Sequence, residues 1–188
     1  MIVIIDNFDS FTYNIVQLLG DMGYDSMVHR NNEVSLAEIK KNASHLIISP
    51  GPCTPSKAGI SVSAVQEFCG KIPVLGVCLG HQSIAEAYGA SIIKSPKPMH
   101  GKVDKIINQG NALFKDVPET FEATRYHSLI VEERSLSSQF SITARALSDN
   151  NIMSIAHINN PTFGVQFHPE SIASEFGSTI LRNFLNFR

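Results

Sequence analysis

The sequence predicts an α/β fold: an open, mostly parallel central sheet with helices on both faces and an antiparallel extension. Three observations carry this. In the first half, apolar runs of strand length alternate with amphipathic stretches of helical spacing. In the second half the amphipathic stretches vanish, and short apolar runs follow one another across polar turns. The final residues return to helical spacing. At 188 residues the chain suits one domain, spanning 1–188, around a single core.

The elements run as follows. Ile2 to Ile5 is an apolar strand ended by Asp6-Asn7. Phe11, Ile15, Leu18, Leu19 and Met22 fall on one helical face behind Asp9-Ser10, the expected N-cap, and Gly23 stops that helix. Ser26 to His29 is the second strand. Ser35-Leu-Ala-Glu38 has the form of a capping box, in which hydroxyl and carboxylate satisfy first-turn amides, and it opens a short helix through Lys41. His45 to Ser49 is the third strand, followed by a proline-rich loop from Pro50 to Ser56. Val62, Val65, Phe68 and Cys69 mark an amphipathic helix. Pro73 to Val77 is the fourth strand, with a helix expected from about Gln82 to Tyr88. Strand, helix, strand repeated in this way implies parallel pairing. Beyond it, Ser91 to Lys94, Val103 to Ile107, Glu122 to His127, Ile130 to Glu132, Ile142 to Leu147, Ile152 to His157 and Phe163 to Phe167 read as strands. Asp149-Asn-Asn151 and Asn159-Asn-Pro161 are turns between them, so some pairs are antiparallel. Ile180, Leu181, Phe184 and Leu185 form a last helical stripe that packs back on the sheet.

Composition excludes several classes of function. A net charge of −2 and a pI near 6.4 lack the basic excess of a nucleic-acid binder. The longest apolar runs are far too short to cross a bilayer, and nothing resembling a signal sequence precedes Met1-Ile-Val-Ile-Ile. The expectation is a cytoplasmic protein without membrane or nucleic-acid partners. Three cysteines, Cys53, Cys69 and Cys78, do not suggest a disulfide framework. Cys69 lies on an apolar helical stripe and is expected in the core.

Cys78 has a different setting. Gly76-Val77-Cys78-Leu79-Gly80 is a G-x-C-x-G run directly after an apolar strand and directly before a helix, the cysteine version of a nucleophile elbow. At so sharp a turn the nucleophile is strained, and a Cβ on either flanking glycine would collide with backbone. The turn lifts the sulfur to the carboxyl edge of the sheet and sets it at a helix N-terminus, whose partial charge favours thiolate. A bare G-x-C-x-G is more often a buried cysteine between packing glycines; the strand before and Gly-His-Gln after favour the nucleophile.

A thiol nucleophile needs a histidine to take and return its proton. Of His29, His45, His81, His100, His127, His157 and His168, the last follows an apolar strand and precedes Pro169-Glu170. Proline keeps His168 extended, so residues 168 and 170 project from one face. Glu170 can then hold the far ring nitrogen and stabilise the imidazolium. Cys78, His168 and Glu170 thus supply a triad. His81 would point along its helix and is a poor base. A zinc site from Cys78, His81 and His168 has only one C-x-x-H pair and no second pair to match it.

Gly76-Val-Cys-Leu-Gly-His-Gln82 and Gly164-Val-Gln-Phe-His-Pro-Glu170 together resemble class I (triad) glutamine amidotransferases, whose central sheet is flavodoxin-like. Asp6-Asn-Phe-Asp-Ser-Phe-Thr12, Ser49-Pro-Gly-Pro-Cys-Thr-Pro55 and Tyr126-His-Ser-Leu129 are also like that family, so the resemblance covers essentially the whole chain. It implies that Gly51 and Leu79 supply oxyanion-hole amides, and that Gln82, Ser128 and Leu129 hold the α-amino and α-carboxylate groups of glutamine. The opening motif is similar to that of subunits feeding ammonia to chorismate-using synthases: component II of aminodeoxychorismate synthase (folate route) and of anthranilate synthase (tryptophan route). Many family members have glycine where this chain has Cys53; the cysteine form looks more like the folate-route and dual-route subunits. The resemblance implies L-glutamine as substrate and a component I synthase as partner in a heterodimer or heterotetramer, docked over the active-site mouth with Ser10 and Phe11. It implies no cofactor in this chain and Mg²⁺ on the partner. The competing readings are a stand-alone thiol hydrolase, such as a peptidase or γ-glutamyl hydrolase, and a non-catalytic regulatory subunit.

Overall fold

The computed structural model describes residues 1–188. Five helices are α1 (Thr12–Asp21), α2 (Leu36–Asn42), α3 (Ser61–Phe68), α4 (Leu79–Ala87) and α5 (Gly177–Leu185). The strands of the first half are β1 (Ile2–Asp6), β2 (Ser26–Arg30), β3 (His45–Ile48) and β4 (Val74–Val77). Those of the second half are β5 (Ile92–Lys94), β6 (Lys102–Asn108), β7 (Thr120–Arg125), β8 (Leu129–Val131), β9 (Phe140–Ala146), β10 (Ile152–His157) and β11 (Thr162–Val165). Nine strands form one sheet in the order β2-β1-β3-β4-β11-β10-β9-β6-β7, and β5 pairs with β8 in a separate ribbon.

The first five strands in that order are parallel, and the rest antiparallel. The parallel part is covered on both faces. Ile2 and Ile4 of β1 join a core with Ile15 and Leu19 of α1 and Ile180, Leu181 and Phe184 of α5. Val3 and Ile5, pointing the other way, join Ile39 of α2, Val65 and Phe68 of α3 and Ile84 of α4. Burial on both faces is why β1, β3 and β4 read as unbroken apolar runs rather than alternating ones. The last strand in sequence, β11, returns to pair in parallel with β4, bringing Gly164 beside Gly76.

Several local expectations shift. The capping box forms as read: Ser35 Oγ accepts from the Glu38 amide at 3.3 Å, and Glu38 Oε2 accepts from the Ser35 amide at 2.8 Å. Asp9-Ser10 is not the N-cap of α1; the cap position is Phe11. Asp9 instead accepts from the Phe11 amide at 2.8 Å, while Asp6 accepts from the Thr12 hydroxyl at 2.8 Å. The helix after the elbow begins at Leu79, not near Gln82. Cys69 is not in the core: it caps α3, half-buried, and its sulfur accepts from the Thr162 hydroxyl at 3.2 Å.

No helix is long and apolar enough to cross a membrane. The carboxyl ends of β1, β3, β4 and β11 lie side by side, so the residues that follow them converge: Asn7, Ser49 to Gly51, Cys78, and Gln166 to His168.

Candidate active site

Cys78 stands between β4 and α4 with φ 52° and ψ −100°, the strained conformation expected of an elbow nucleophile. Its amide donates to the Val165 carbonyl at 2.8 Å, tying the turn to β11. The two flanking glycines are there because backbone passes where a side chain would sit. A Cβ on Gly76 would lie 2.3 Å from the Gly80 carbonyl, and one on Gly80 would lie 2.2 Å from the Ile48 carbonyl oxygen. The sulfur is buried, sits at the N-terminus of α4, and accepts from Gln166 Nε2 at 3.6 Å.

His168 and Glu170 meet as their spacing predicts: Nδ1 to Oε1 is 2.6 Å, with both side chains buried. The backbone of His168 is held at both ends. Its amide donates to the Thr124 carbonyl at 3.0 Å, and its carbonyl accepts from the Ser174 hydroxyl at 2.6 Å. Burial alone would lower the pKa of His168; the neighbouring Cys78 and Glu170 outweigh it and raise the value to about 10. Nε2, the nitrogen away from Glu170, has no hydrogen-bond partner. Phe11 and Tyr126 pack edgewise on the imidazole, each with its ring centre 5.2 Å away.

A pocket of about 170 Å³ brings together every other sequence-predicted residue: Gly51, Cys78, Leu79, Gln82, Ser128 and Leu129 line it, with Pro52, Cys53, Tyr126 and His127. His168 and Glu170 do not line it; His168 packs against Tyr126, which does. The Gly51 amide donates to no protein acceptor. Ser128 is exposed, its hydroxyl unengaged, and its carbonyl is pinned by the Ser95 amide at 2.8 Å. Gln82 departs from simple expectation. Its Nε2 is occupied by the Leu129 carbonyl at 3.1 Å and Gln166 Oε1 at 3.0 Å, leaving its Oε1 as the group for a ligand.

His81 is fully buried, with neither ring nitrogen hydrogen-bonded, and burial pushes its pKa down to about 3. It is a neutral packing residue, not a base. No group of three His, Cys, Asp or Glu side chains is placed to share a metal ion.

Sequence reasoning missed three contributors. Gln166 touches both the sulfur and Gln82, across a separation only the β4–β11 pairing closes. Arg125, wholly buried, pairs with Asp104 and, at 2.8 Å, with Asp149, and its Nε donates to His127 Nε2 at 3.1 Å. That bond leaves the His127 proton on Nδ1, which donates to the Leu129 carbonyl at 3.1 Å. Burial and the Arg125 charge push the His127 pKa down to about 4, keeping it neutral in this role. Asn7 is the third. Of these, Asn7 and Gln166 lie in motifs visible in the sequence, and Arg125 does not.

Residues 3–187 match the family model described as glutamine amidotransferase class-I. The chain is 50% identical over 188 residues to the bifunctional protein TrpGD of Thermotoga maritima, aligning 98% of this chain but only 32% of that protein. It therefore spans about a third of that relative's length. It is 49% identical over 186 residues to aminodeoxychorismate/anthranilate synthase component 2 of Bacillus subtilis, covering 98% of this chain and 95% of that one. Among solved structures, a glutamine amidotransferase from Thermotoga maritima superposes with a TM-score of 0.79 at 14% identity, covering 98% of this chain and 95% of the other. A putative GMP synthase protein from Thermoplasma acidophilum superposes with a TM-score of 0.88 at 24% identity, covering 98% and 91%. Both are likenesses of fold.

Proposed function

The chain belongs to the class-I glutamine amidotransferase family, and from that premise we propose that it is the glutaminase component of a chorismate-using synthase, hydrolysing L-glutamine through Cys78, His168 and Glu170. The observation that carries the reading is the elbow: a strained cysteine at a helix N-terminus opens into the pocket shared by Gly51, Leu79, Gln82, Ser128 and Leu129.

The proposed mechanism follows from these positions. The Cys78 thiolate attacks the side-chain amide carbon of glutamine. Negative charge moves to the amide oxygen, which the Gly51 and Leu79 amides hold. Gln82 Oε1 accepts from the α-ammonium, the Ser128 hydroxyl donates to the α-carboxylate, and the Leu129 backbone closes that subsite. His168, held charged by Glu170, gives its Nε2 proton to departing ammonia. The neutral imidazole then takes a proton from water, which hydrolyses the γ-glutamyl thioester and frees Cys78. No step calls for a metal; the Mg²⁺ of the overall synthase reaction is assigned to the partner.

The Bacillus subtilis relative, covered over 95% of its length, is a component 2 by name. The proposed partner is accordingly a component I synthase in a heterodimer or heterotetramer, located in the cytoplasm and receiving ammonia without release to solvent. Phe11, packed on His168 and bordering a second cleft of about 550 Å³, favours docking on that face. The first test is glutaminase activity of Cys78→Ala and Cys78→Ser: loss is expected, and full activity in either overturns the assignment. The second is capture of the partner from native extract, then assay of the complex for both aminodeoxychorismate and anthranilate with glutamine as nitrogen donor. A captured synthase that uses only free ammonia would refute the coupling.

A further inference from the structure

The Asp6-Asn-Phe-Asp-Ser-Phe-Thr12 motif has no part in the steps above, yet one of its residues lies directly beneath the oxyanion loop. We propose that Asn7 is a positioning residue that sets the Gly51 amide of the oxyanion hole, an inference that rests on the role given to Gly51.

Asn7 follows β1 and is almost wholly buried. It grips Ser49 twice. Its side-chain Nδ2 donates to the Ser49 carbonyl at 2.9 Å, and its backbone amide donates to Ser49 Oγ at 2.9 Å. Ser49 Oγ in turn donates to the Pro50 carbonyl at 2.7 Å. The two peptide units before Gly51 are thus fixed in orientation, and Pro50 adds a locked φ. The grip is itself braced: Asn7 Oδ1 accepts from Asn31 Nδ2 at 2.9 Å and from the Ser61 hydroxyl at 2.7 Å. The loop also rests on Asn7 directly. A Cβ on Gly51 would lie 2.5 Å from Asn7 Cβ and 2.6 Å from Leu79 Cδ2, so Gly51 is wedged between Asn7 and the residue supplying the other amide.

This arrangement does more than hold a loop closed. A hydrogen-bond donor for a developing charge helps only if it already points at the place where charge appears. The peptide plane carrying the Gly51 N–H begins at the Pro50 carbonyl, and that carbonyl is held by Ser49 Oγ, itself held by Asn7. Rotating it would break that chain of bonds. Asn7 does not itself line the pocket and makes no hydrogen bond to the sulfur, so its influence on the reaction passes through Gly51.

The test uses the full chain carrying Asn7→Asp. This isosteric change keeps the acceptor for Asn31 and Ser61 and the backbone bond to Ser49 Oγ, and it replaces the donor to the Ser49 carbonyl with a carboxylate oxygen that repels it, so the Ser49–Pro50 peptide is pushed out of its place. Four quantities are measured: kcat and KM for glutamine, glutamine affinity in a Cys78→Ser background, and the rate of Cys78 alkylation by iodoacetamide, followed by peptide mass spectrometry. Alkylation displaces iodide and needs no oxyanion donor. The expected result is a kcat per alkylatable Cys78 lowered roughly 10- to 100-fold, somewhat less than outright removal of an oxyanion donor. KM, affinity and alkylation rate should stay within about twofold. A merely structural role would lower alkylation and affinity together with kcat. Wild-type kcat in Asn7→Asp, or a parallel fall of all four quantities, overturns the proposal. Should Asn7→Asp fail to fold, Ser61→Ala, which removes one brace, carries the test, with a selective fall in kcat of about 2- to 5-fold expected and an unchanged kcat refuting it. Glutaminase activity surviving in Cys78→Ala would sink the reading of the site as a whole, a different outcome from either.

Discussion

Gly80→Ala probes the elbow without altering any group that reacts. The added Cβ would lie 2.2 Å from the Ile48 carbonyl oxygen, 2.9 Å from its carbon and 3.0 Å from Ile48 Cβ. Real Cβ atoms essentially never come closer than 3.0 Å, so the first turn of α4 must lift from β3 by at least about 0.8 Å. Two of the three obstructing atoms are backbone, which no rotamer change relieves. Overpacking of this kind costs about 1–3 kcal/mol, and the absence of relief places it near 3. For a chain of this size that is a fall in Tm of roughly 6–12 °C. The same lift carries Leu79 and Cys78 with it, and a misplacement near 1 Å costs on the order of 100-fold in rate. Gly20→Ala is the control. It lies on the exposed side of α1, nothing stands within 4 Å of its Cβ, and it should be neutral or stabilising by up to about 1 kcal/mol. Thermal denaturation and glutaminase assay of both variants decide the matter. A Gly80→Ala protein melting within about 2 °C of wild type with full activity would refute the packing argument.

Three further outcomes are expected. Stability should peak near pH 6.5. Below it the unfolded chain binds protons that buried His81 (pKa about 3) and His127 (about 4) refuse, so each withdraws about 2 kcal/mol by pH 5; above it the unfolded chain releases the proton that His168, raised to about 10, still holds in the fold, so that stabilisation fades as pH rises. Urea unfolding from pH 5 to 9 measures this, and a flat profile contradicts it. Glu170→Gln keeps an acceptor beside Nδ1 but removes the charge, so kcat should fall roughly 100-fold and the alkaline limb of the pH–rate profile should move to lower pH. An unmoved limb would mean that Glu170 does not hold the His168 proton. Arg125→Met strands Asp104 and Asp149 and frees His127; a loss of about 3 kcal/mol is expected in chemical denaturation, with a raised KM for glutamine as the Leu129 carbonyl loses its anchored donor.

What the sequence reveals about this site, and what it hides, divides along a physical line. The elbow is legible because its constraint is local: strain at Cys78 and the backbone contact of Gly76 with Gly80 are settled within five residues. The His168–Glu170 pair is legible for the same reason, through an extended chain stiffened by Pro169. The start of α4 is hidden because Gly80 looks like a helix breaker. It lies inside the helix since only glycine lets α4 approach the Ile48 carbonyl, a tertiary requirement with no local mark. Cys69 occupies a helical apolar position, but the helix ends there and its sulfur turns to Thr162. Arg125 reads as an ordinary strand residue, because its two acids come from neighbouring segments that only the β6–β7 pairing and the turn after β9 bring near.

That division explains how the site is assembled. Each functional group is fixed in shape by its own few residues, and in place by the parallel pairing of β1, β3, β4 and β11. Cys78 is tied to β11 through the Val165 carbonyl, the Gly51 loop to β1 through Asn7, and His168 to β7 through the Thr124 carbonyl. The first two ties join neighbouring strands of the sheet, β4 with β11 and β3 with β1, and the third reaches from the chain beyond β11 to β7 at the sheet's far edge. Cys78 and the Gly51 loop are therefore aligned by sheet register and His168 by its bridge to β7, and no single loop can drift without breaking a bond. The proposed glutamine α-subsite is the exception. Ser128 and Leu129 begin the small β5–β8 ribbon outside the main sheet, and they are referenced to it by Gln82 and by the Arg125–His127 chain. Substrate grip and chemistry thus rest on separate supports, which is why substitutions at Arg125 should fall on KM and those at Asn7 on kcat.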